Sequence, residues 1–365
     1  SQHRGYKRRL MRWGMYNLDT ILKDCEKVIQ NVNTDSLKDS CVLITGANGL
    51  IGGFLADLFC HLNDKMSYKT KIYLTSYSQP SAAKRISHLL SRPDVEYFSW
   101  DSSKPIDLGV LPEKIDYTFF CSGYGQPSKF LKDNVKTALI NVVGLESILS
   151  YMNSHSGGRL LFLSTSEIYG DPPDDMLPTP ENYGGSYELE SNRSAYKVSK
   201  KLGEVLCKEY NNSENLDTRI ARIALTYGPG ALITDQRVLQ EFIFKATQEG
   251  EINMLDEGSS IRNYLYITDS IEVLLNILLH GKELVYNVGG DTEPVSIYDL
   301  ATTIGDILSV NTKKGAKKTD SNTFAPRTVG LDMSKYRQEF PDYGKNIVNL
   351  KAGISNTIKW FELRE

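Results

Sequence analysis

The period of the apolar positions changes along the chain. Apolar residues at 18, 21, 22, 25, 28 and 29 follow the spacing of one helical face, with Asn17 placed to cap the start. Residues 35–40 form a polar link. From Cys41 onward, short apolar or β-branched runs take over, at 41–45, 71–75, 95–100, 117–121, 159–164 and 218–224. Helical patterns separate them, for example at 50–61, 127–150 and 194–210. Strands alternating with helices predict an α/β fold with a doubly wound parallel sheet, because each parallel connection must cross a face of that sheet. Beyond Tyr227 the rhythm is irregular. Helices are expected near 238–248, 269–280 and 297–309, with short runs at 263–267 and 284–288. This pattern predicts a smaller α/β lobe covering one end of the sheet.

Composition narrows the function classes. The 365 residues carry a net charge of −3, so no global basic field points to nucleic acid. The exception is the cluster Arg4, Lys7, Arg8, Arg9 and Arg12, read as a disordered basic tail over 1–15. The lysines at 313, 314, 317 and 318 read as a solvated loop. The five cysteines are scattered, without paired spacing, which argues for a reducing compartment and against a disulfide framework or a zinc site. The five histidines fall in no motif, so no metal role is assigned. No apolar run reaches membrane-spanning length and no signal-peptide pattern is present; a soluble, cytoplasmic protein without membrane contact is expected.

Two motifs carry chemistry. Thr45-Gly46-Ala47-Asn48-Gly49-Leu50-Ile51-Gly52 follows the first strand and opens a helix. There Gly46 permits a tight turn, Gly49 a close approach to a pyrophosphate, and Gly52 close packing of helix on sheet. The helix start at Leu50 and Ile51 faces the phosphates. This predicts a nicotinamide dinucleotide cofactor. The second strand ends Thr75-Ser76-Tyr77-Ser78 with no acid for the adenosine ribose. NAD is expected, held there by Ser76, and NADP stays open, since Lys84 and Arg85 either meet a 2′-phosphate or lie on a surface helix. Asp101 contacts the adenine or closes a turn.

The second motif is Ser164-Thr165-Ser166-Glu167-Ile168-Tyr169-Gly170, followed by Tyr196-Lys197-Val198-Ser199-Lys200. Tyr196 and Lys200 share a helix face, where the ammonium is expected to lower the phenol's pKa and make Tyr196 a base toward a hydroxyl. Glu167 either acts beside the resulting ketone or caps the following loop.

These motifs, with Arg222-Ile223-Ala224-Leu225-Thr226-Tyr227-Gly228-Pro229, Arg262-Asn263-Tyr264-Leu265-Tyr266-Ile267-Thr268-Asp269 and Tyr286-Asn287-Val288-Gly289-Gly290, resemble the extended short-chain dehydrogenase/reductase family of nucleotide-sugar epimerases, dehydratases and decarboxylases. The likeness runs from about Cys41 to Phe361 and is greatest to UDP-glucuronate decarboxylases.

The resemblance implies a Rossmann domain over 41–226 behind a helical extension at 16–40, with 227–365 mainly a nucleotide-sugar lobe. It also implies a nucleotide-sugar substrate, a role in polysaccharide biosynthesis, and a homodimer built by the helices around 135–149 and at Tyr196. Tyr196 would take the proton of the sugar's 4-hydroxyl, Lys200 would hold the nicotinamide ribose, and Thr165 would bond the same hydroxyl. Ser166 and Glu167 would act at carbon 5 or 6: decarboxylation leads, with 4,6-dehydration, 4-epimerisation or 4-keto reduction, and a cofactor-bound scaffold as alternatives. Arg262 and Arg327 would hold the diphosphate, with Arg237 a third candidate. Gln126, Tyr183 and Arg193 are placed toward the substrate, although Tyr183 and Arg193 also suit loop packing. The chain departs from the decarboxylase pattern at Lys197-Val198-Ser199, at Leu225 where an Asn is usual, and at Gly230 where an Arg is usual.

Overall fold

Strand β1 (Cys41–Thr45) is buried along its whole length because it has a parallel neighbour on each side. This computed structural model describes residues 17–125, 127–155, 157–214, 216–232, 235–289, 292–316 and 328–361. The expected basic tail, Gln126, Arg327, Lys317 and Lys318 lie outside the described residues.

The sheet continues with β2 (Lys71–Ser76), β3 (Val95–Ser99), β4 (Tyr117–Phe120), β5 (Arg159–Thr165), β6 (Asp217–Ile223) and β7 (Val285–Val288). Its order is β7-β6-β5-β4-β1-β2-β3, parallel throughout. The strand order reverses between β1 and β4, and at such a point the loops at the carboxyl ends open into a crevice. The edge strand β7 comes from beyond residue 227, so the sheet draws on both sides of the expected 226/227 boundary.

Alternation along β1 sends Val42 and Ile44 to one core and Leu43 to the other. The first core lies under α1 (Leu18–Asn31), α2 (Leu50–Met66) and, further along the chain, the helix Ile267–His280. The second lies under α4 (Leu145–His155) and α5 (Ser194–Ser213), and α3 (Asn134–Leu139) packs against α5. The expected helix at 127–150 is therefore several pieces: a turn at Pro127–Phe130, then α3 and α4 joined by a π-helical turn at Ile140–Gly144. The stretch Asn134–His155 is long and apolar enough by composition to cross a membrane, which corrects the reading that no run approaches that length. Half of its apolar window is buried inside the protein, as in a core helix.

Asn17 does sit at the cap position of α1, but its side chain makes no capping bond; its backbone N–H instead donates to the Trp360 carbonyl at 3.1 Å. Thus α1 packs against α2, Ile267–His280 and the C-terminal helix Leu350–Phe361. In the second half, Leu225–Tyr227 pairs in parallel with Tyr264–Tyr266, and Ile261–Arg262 pairs antiparallel with Val295–Ser296. These short ladders hold the segments that face the carboxyl ends of β5 and β6.

Candidate active site

A single groove joins the glycine loop to the Tyr–Lys helix, lined among others by Gly46, Asn48, Gly52, Gly123, Tyr196 and Lys200. Gly46 has φ +65°, and a Cβ there would meet the Cys121 carbonyl oxygen at 2.6 Å. A Cβ at Gly52 would stand 2.5 Å from the Gly46 carbonyl oxygen, so only glycine lets α2 start this close to the loop. Gly49 caps α2 with no side chain, and the first-turn residues Leu50 and Ile51 line the groove. Uncapped helix amides facing a groove favour an anion, so the loop fits the pyrophosphate of a dinucleotide. Asn48 points back into the protein: its Oδ1 accepts from the Arg85 N–H at 2.9 Å and its Nδ2 donates to Ser78 Oγ at 3.4 Å.

At the adenosine end, Ser76 Oγ is 2.7 Å from the Tyr97 hydroxyl. Asp101 closes a turn, accepting from the Ser103 N–H and hydroxyl at 3.2 and 2.6 Å, with Lys136 Nζ 3.4 Å away. Arg85 is neither a phosphate ligand at the surface nor a surface helix residue. It is fully buried, paired with Asp57 at 2.7 Å and stacked 5.4 Å from the Trp360 ring. A Cβ at Gly230 would meet Arg85 Nε at 3.1 Å.

The catalytic candidates meet at the end of β5. Thr165 ends the strand, accepts from the Glu167 N–H at 3.2 Å and is hydrogen-bonded to Tyr196 through its side chain. Ser166 opens the short 3₁₀ turn Ser166–Tyr169 and is half-buried. Tyr196 and Lys200 are both buried and reach the groove from one face of α5. The expected depression of the phenol's pKa is not found. Burial pushes the Tyr196 phenol up, and the Glu167 carboxylate pushes it further, against the Thr165 hydrogen bond and the Arg193 charge. The Lys200 ammonium donates instead to the Leu163 carbonyl at 2.6 Å, and burial pulls its own pKa down to about 8.

Arg193 holds Glu167 in a two-pronged ion pair, with Nε to Oε2 at 3.0 Å and Nη2 to Oε1 at 2.6 Å. Arg262 belongs to the same corner. Burial lowers its pKa, the nearby Arg193 lowers it further, and Tyr264, Glu167 and Asp171 oppose them. Arg262 Nη1 donates to the Ile261 carbonyl at 2.7 Å. Arg237 reaches the groove's far rim, where Asp235 pairs with its Nε at 3.0 Å. Tyr183 packs on Tyr169, ring centroids 6.2 Å apart, which is the loop-packing alternative. Among the described residues, no group of three or more His, Cys, Asp or Glu converges as a metal site.

Two features of the site escape the sequence pattern. Asn141 sits in the π-helical turn, donates to Ser199 Oγ at 3.0 Å and keeps a buried Oδ1 with no hydrogen-bond partner among the described residues. A Cβ at Gly123 would lie 3.7 Å from Lys200 Nζ and 4.0 Å from that Oδ1, so both face the same glycine. Below β5, Glu204 accepts from Ser164 at 2.6 Å and from Arg222 at 2.7 Å, while Arg222 also bonds the Tyr169 hydroxyl at 2.9 Å. The spacing of Lys200 and Glu204, four apart on α5, is the one signal in the sequence that points to this network.

Residues 42–289 match the model of the NAD dependent epimerase/dehydratase family. The chain belongs to that family. Curated relatives of this epimerase/dehydratase chain include UDP-glucuronic acid decarboxylase 3 of Arabidopsis thaliana, 28% identical over 323 residues covering 88% of this chain and 89% of the relative. UDP-glucuronic acid decarboxylase 1 of Xenopus tropicalis is 26% identical, covering 88% and 72%. Among solved structures, the UDP-glucuronic acid 4-epimerase of Bacillus cereus, in complex with UDP-glucuronic acid and NAD, superposes with a TM-score of 0.71 at 22% identity, covering 88% of this chain and 98% of that one. The dTDP-glucose 4,6-dehydratase DesIV of Streptomyces venezuelae, with NAD bound, gives a TM-score of 0.73 at 19% identity, covering 88% and 96%. The epimerase/dehydratase fold is thus common to relatives that differ in reaction.

Proposed function

We propose that this chain is an NAD-dependent nucleotide-sugar enzyme that decarboxylates a UDP-hexuronate, in the manner of the UDP-glucuronic acid decarboxylases it is similar to. The observation that carries the reading is the corner at the end of β5, where Arg193 forks Glu167, Arg262 lies within the field of both, and the Glu167 charge reaches the Tyr196 phenol. Two cations next to the oxidation site suit a sugar that is itself an anion at carbon 6. A neutral hexose would leave only the diphosphate for Arg262 to bind.

Gly46, Gly49, Gly52 and the first turn of α2 would hold the cofactor's pyrophosphate, and Lys200 its nicotinamide ribose. Bound there, the nicotinamide supplies a reversible two-electron acceptor at carbon 4. The positive charge of an oxidised nicotinamide bound beside Tyr196 would favour the phenolate that burial disfavours here, so that Tyr196 would take the proton of the 4-hydroxyl while Thr165 holds that hydroxyl in line. The ketone formed is β to the sugar carboxylate. The bond between carbons 5 and 6 then breaks, carbon dioxide leaves, and the electron pair delocalises onto the carbon-4 oxygen as an enolate. Ser166 and Glu167 orient the carboxylate and serve the return of a proton to carbon 5. Reduction at carbon 4 closes the cycle with no net redox change. Arg262 and Arg237 would bind the diphosphate or the sugar carboxylate.

The test is release of labelled carbon dioxide from UDP-[6-¹⁴C]glucuronate. Tyr196→Phe should lower turnover about 10²- to 10⁴-fold, the range of a lost general base, while NAD binding persists. Loss of water from a neutral nucleotide hexose, with no carbon dioxide from the uronate, would overturn the reading.

A homodimer accompanies this proposal. Val198, Leu202 and Val205 form an exposed apolar stripe on α5, beside the exposed Val135 and Leu139 of the neighbouring α3. Five apolar residues on two packed helices suit the same face of a second copy.

A further inference from the structure

Arg193 occupies the cap position before α5, where the helix dipole presents its positive end. A guanidinium is electrostatically misplaced there, and it does not escape to solvent. Its side chain is 13% exposed and that of its partner Glu167 is 20% exposed. The two form parallel bonds of 3.0 and 2.6 Å, a fork that an ammonium cannot reproduce.

The pair also closes a ring of contacts. Glu167 is tied through its N–H to Thr165, Thr165 is bonded to Tyr196, and Tyr196 follows Arg193 by three residues on the same helix. The Arg193 backbone is itself held, its N–H donating to Ser191 Oγ at 3.2 Å. Loop packing alone would be served by an apolar side chain at this half-buried place.

We propose that Arg193 is a positioning residue: its fork fixes the Glu167 carboxylate relative to Tyr196, so that the carbon oxidised by one is adjacent to the carbon served by the other. This inference rests on the reading of Glu167 as the group acting at carbon 5. The oxidation at carbon 4 does not need the fork; the step at carbon 5 does. Losing Arg193 therefore separates two halves of one reaction that are otherwise tightly coupled.

The experiment uses the NAD-loaded enzyme with UDP-glucuronate and the variants Arg193→Gln, Arg193→Lys, Glu167→Gln and Arg193→Gln/Glu167→Gln. Arg193→Gln should lower kcat about 10²-fold, the cost of a small misplacement of a reacting group, with KM within about threefold of wild type. During a single turnover, absorbance at 340 nm should build up in this variant, because oxidation outruns the later step. The double variant should be no slower than Glu167→Gln, since both changes remove the same function. Arg193→Lys, which keeps the charge and the fold, should recover part of kcat.

A raised KM with unchanged kcat would make Arg193 a direct substrate ligand and overturn the proposal. So would independent, multiplying effects of the two substitutions, or no rise at 340 nm. If the wild type itself releases no carbon dioxide from UDP-glucuronate, the functional reading falls and this inference with it. If the wild type turns over and Arg193→Gln and Arg193→Lys match it, the inference alone falls.

Discussion

Lys200 shows how a single side chain departs from its expected role. Its ammonium is buried against the Phe162 ring, with Nζ 4.8 Å from the ring centroid, and bonded to a backbone carbonyl, and burial lowers its pKa to about 8 from an ordinary 10.5. Between those values the unfolded chain holds a proton that the folded chain has released. Stability from this site therefore rises with pH across that window and is lost as pH falls through 8. Ligand-free Lys200→Met should melt a few degrees above wild type at pH 7, with the gap shrinking toward pH 10. Parallel melting curves over that pH range check it. Ser76 offers a second test. It has a hydroxyl where a carboxylate would bind the ribose and repel a 2′-phosphate. Ser76→Asp should raise the preference for NAD over NADP roughly tenfold in equilibrium binding titrations. The Thr-Ser-Glu, Tyr-Lys and glycine motifs were legible because their chemistry depends on residue type and spacing. Partners were not: that Glu167 is gripped by Arg193, 26 positions away, and that Arg85 is buried against Asp57 and Trp360 are facts of the folded chain.

At the level of elements, β1 to β6 fell where the apolar runs predicted, with no end shifted by more than one residue. A buried parallel strand needs a short apolar run, and turn residues bound it on each side. The seventh strand was also visible as a run at 284–288, but its place beside β6 was not. Pairing across a crossover is set by the packing of Ile267–His280 against the sheet, which periodicity cannot report. The π-helical turn at Ile140–Gly144 was hidden for a related reason. One extra residue in a turn leaves the apolar period nearly intact while rotating Asn141 into the site. That the apolar stripe Val198, Leu202 and Val205 on α5 faces outward is a fact of the folded chain. If it meets a second copy, Leu202→Glu should convert a dimer to a monomer, read by light scattering, and leave the melting temperature of the monomer close to that expected for an exposed substitution.

On the scale of the whole molecule, the two halves of the chain are interleaved. The second half contributes β7 and its preceding helix to the sheet, and α1 lies across that helix and the C-terminal helix. The groove is accordingly lined by both halves: the glycine loop, β5 and Ile223 come from the first, and Gly230, Ala231 and Arg237 from the second. The bond from the Asn17 N–H to the Trp360 carbonyl, 3.1 Å long, brings the first and last helices of the described residues together. From 17 to 361 the path of the backbone is almost a closed loop. A permuted gene that joins 361 to 17 through a short Gly-Ser linker, and opens in the exposed turn near Leu108, should yield a protein with the same circular dichroism spectrum and NAD affinity as the parent.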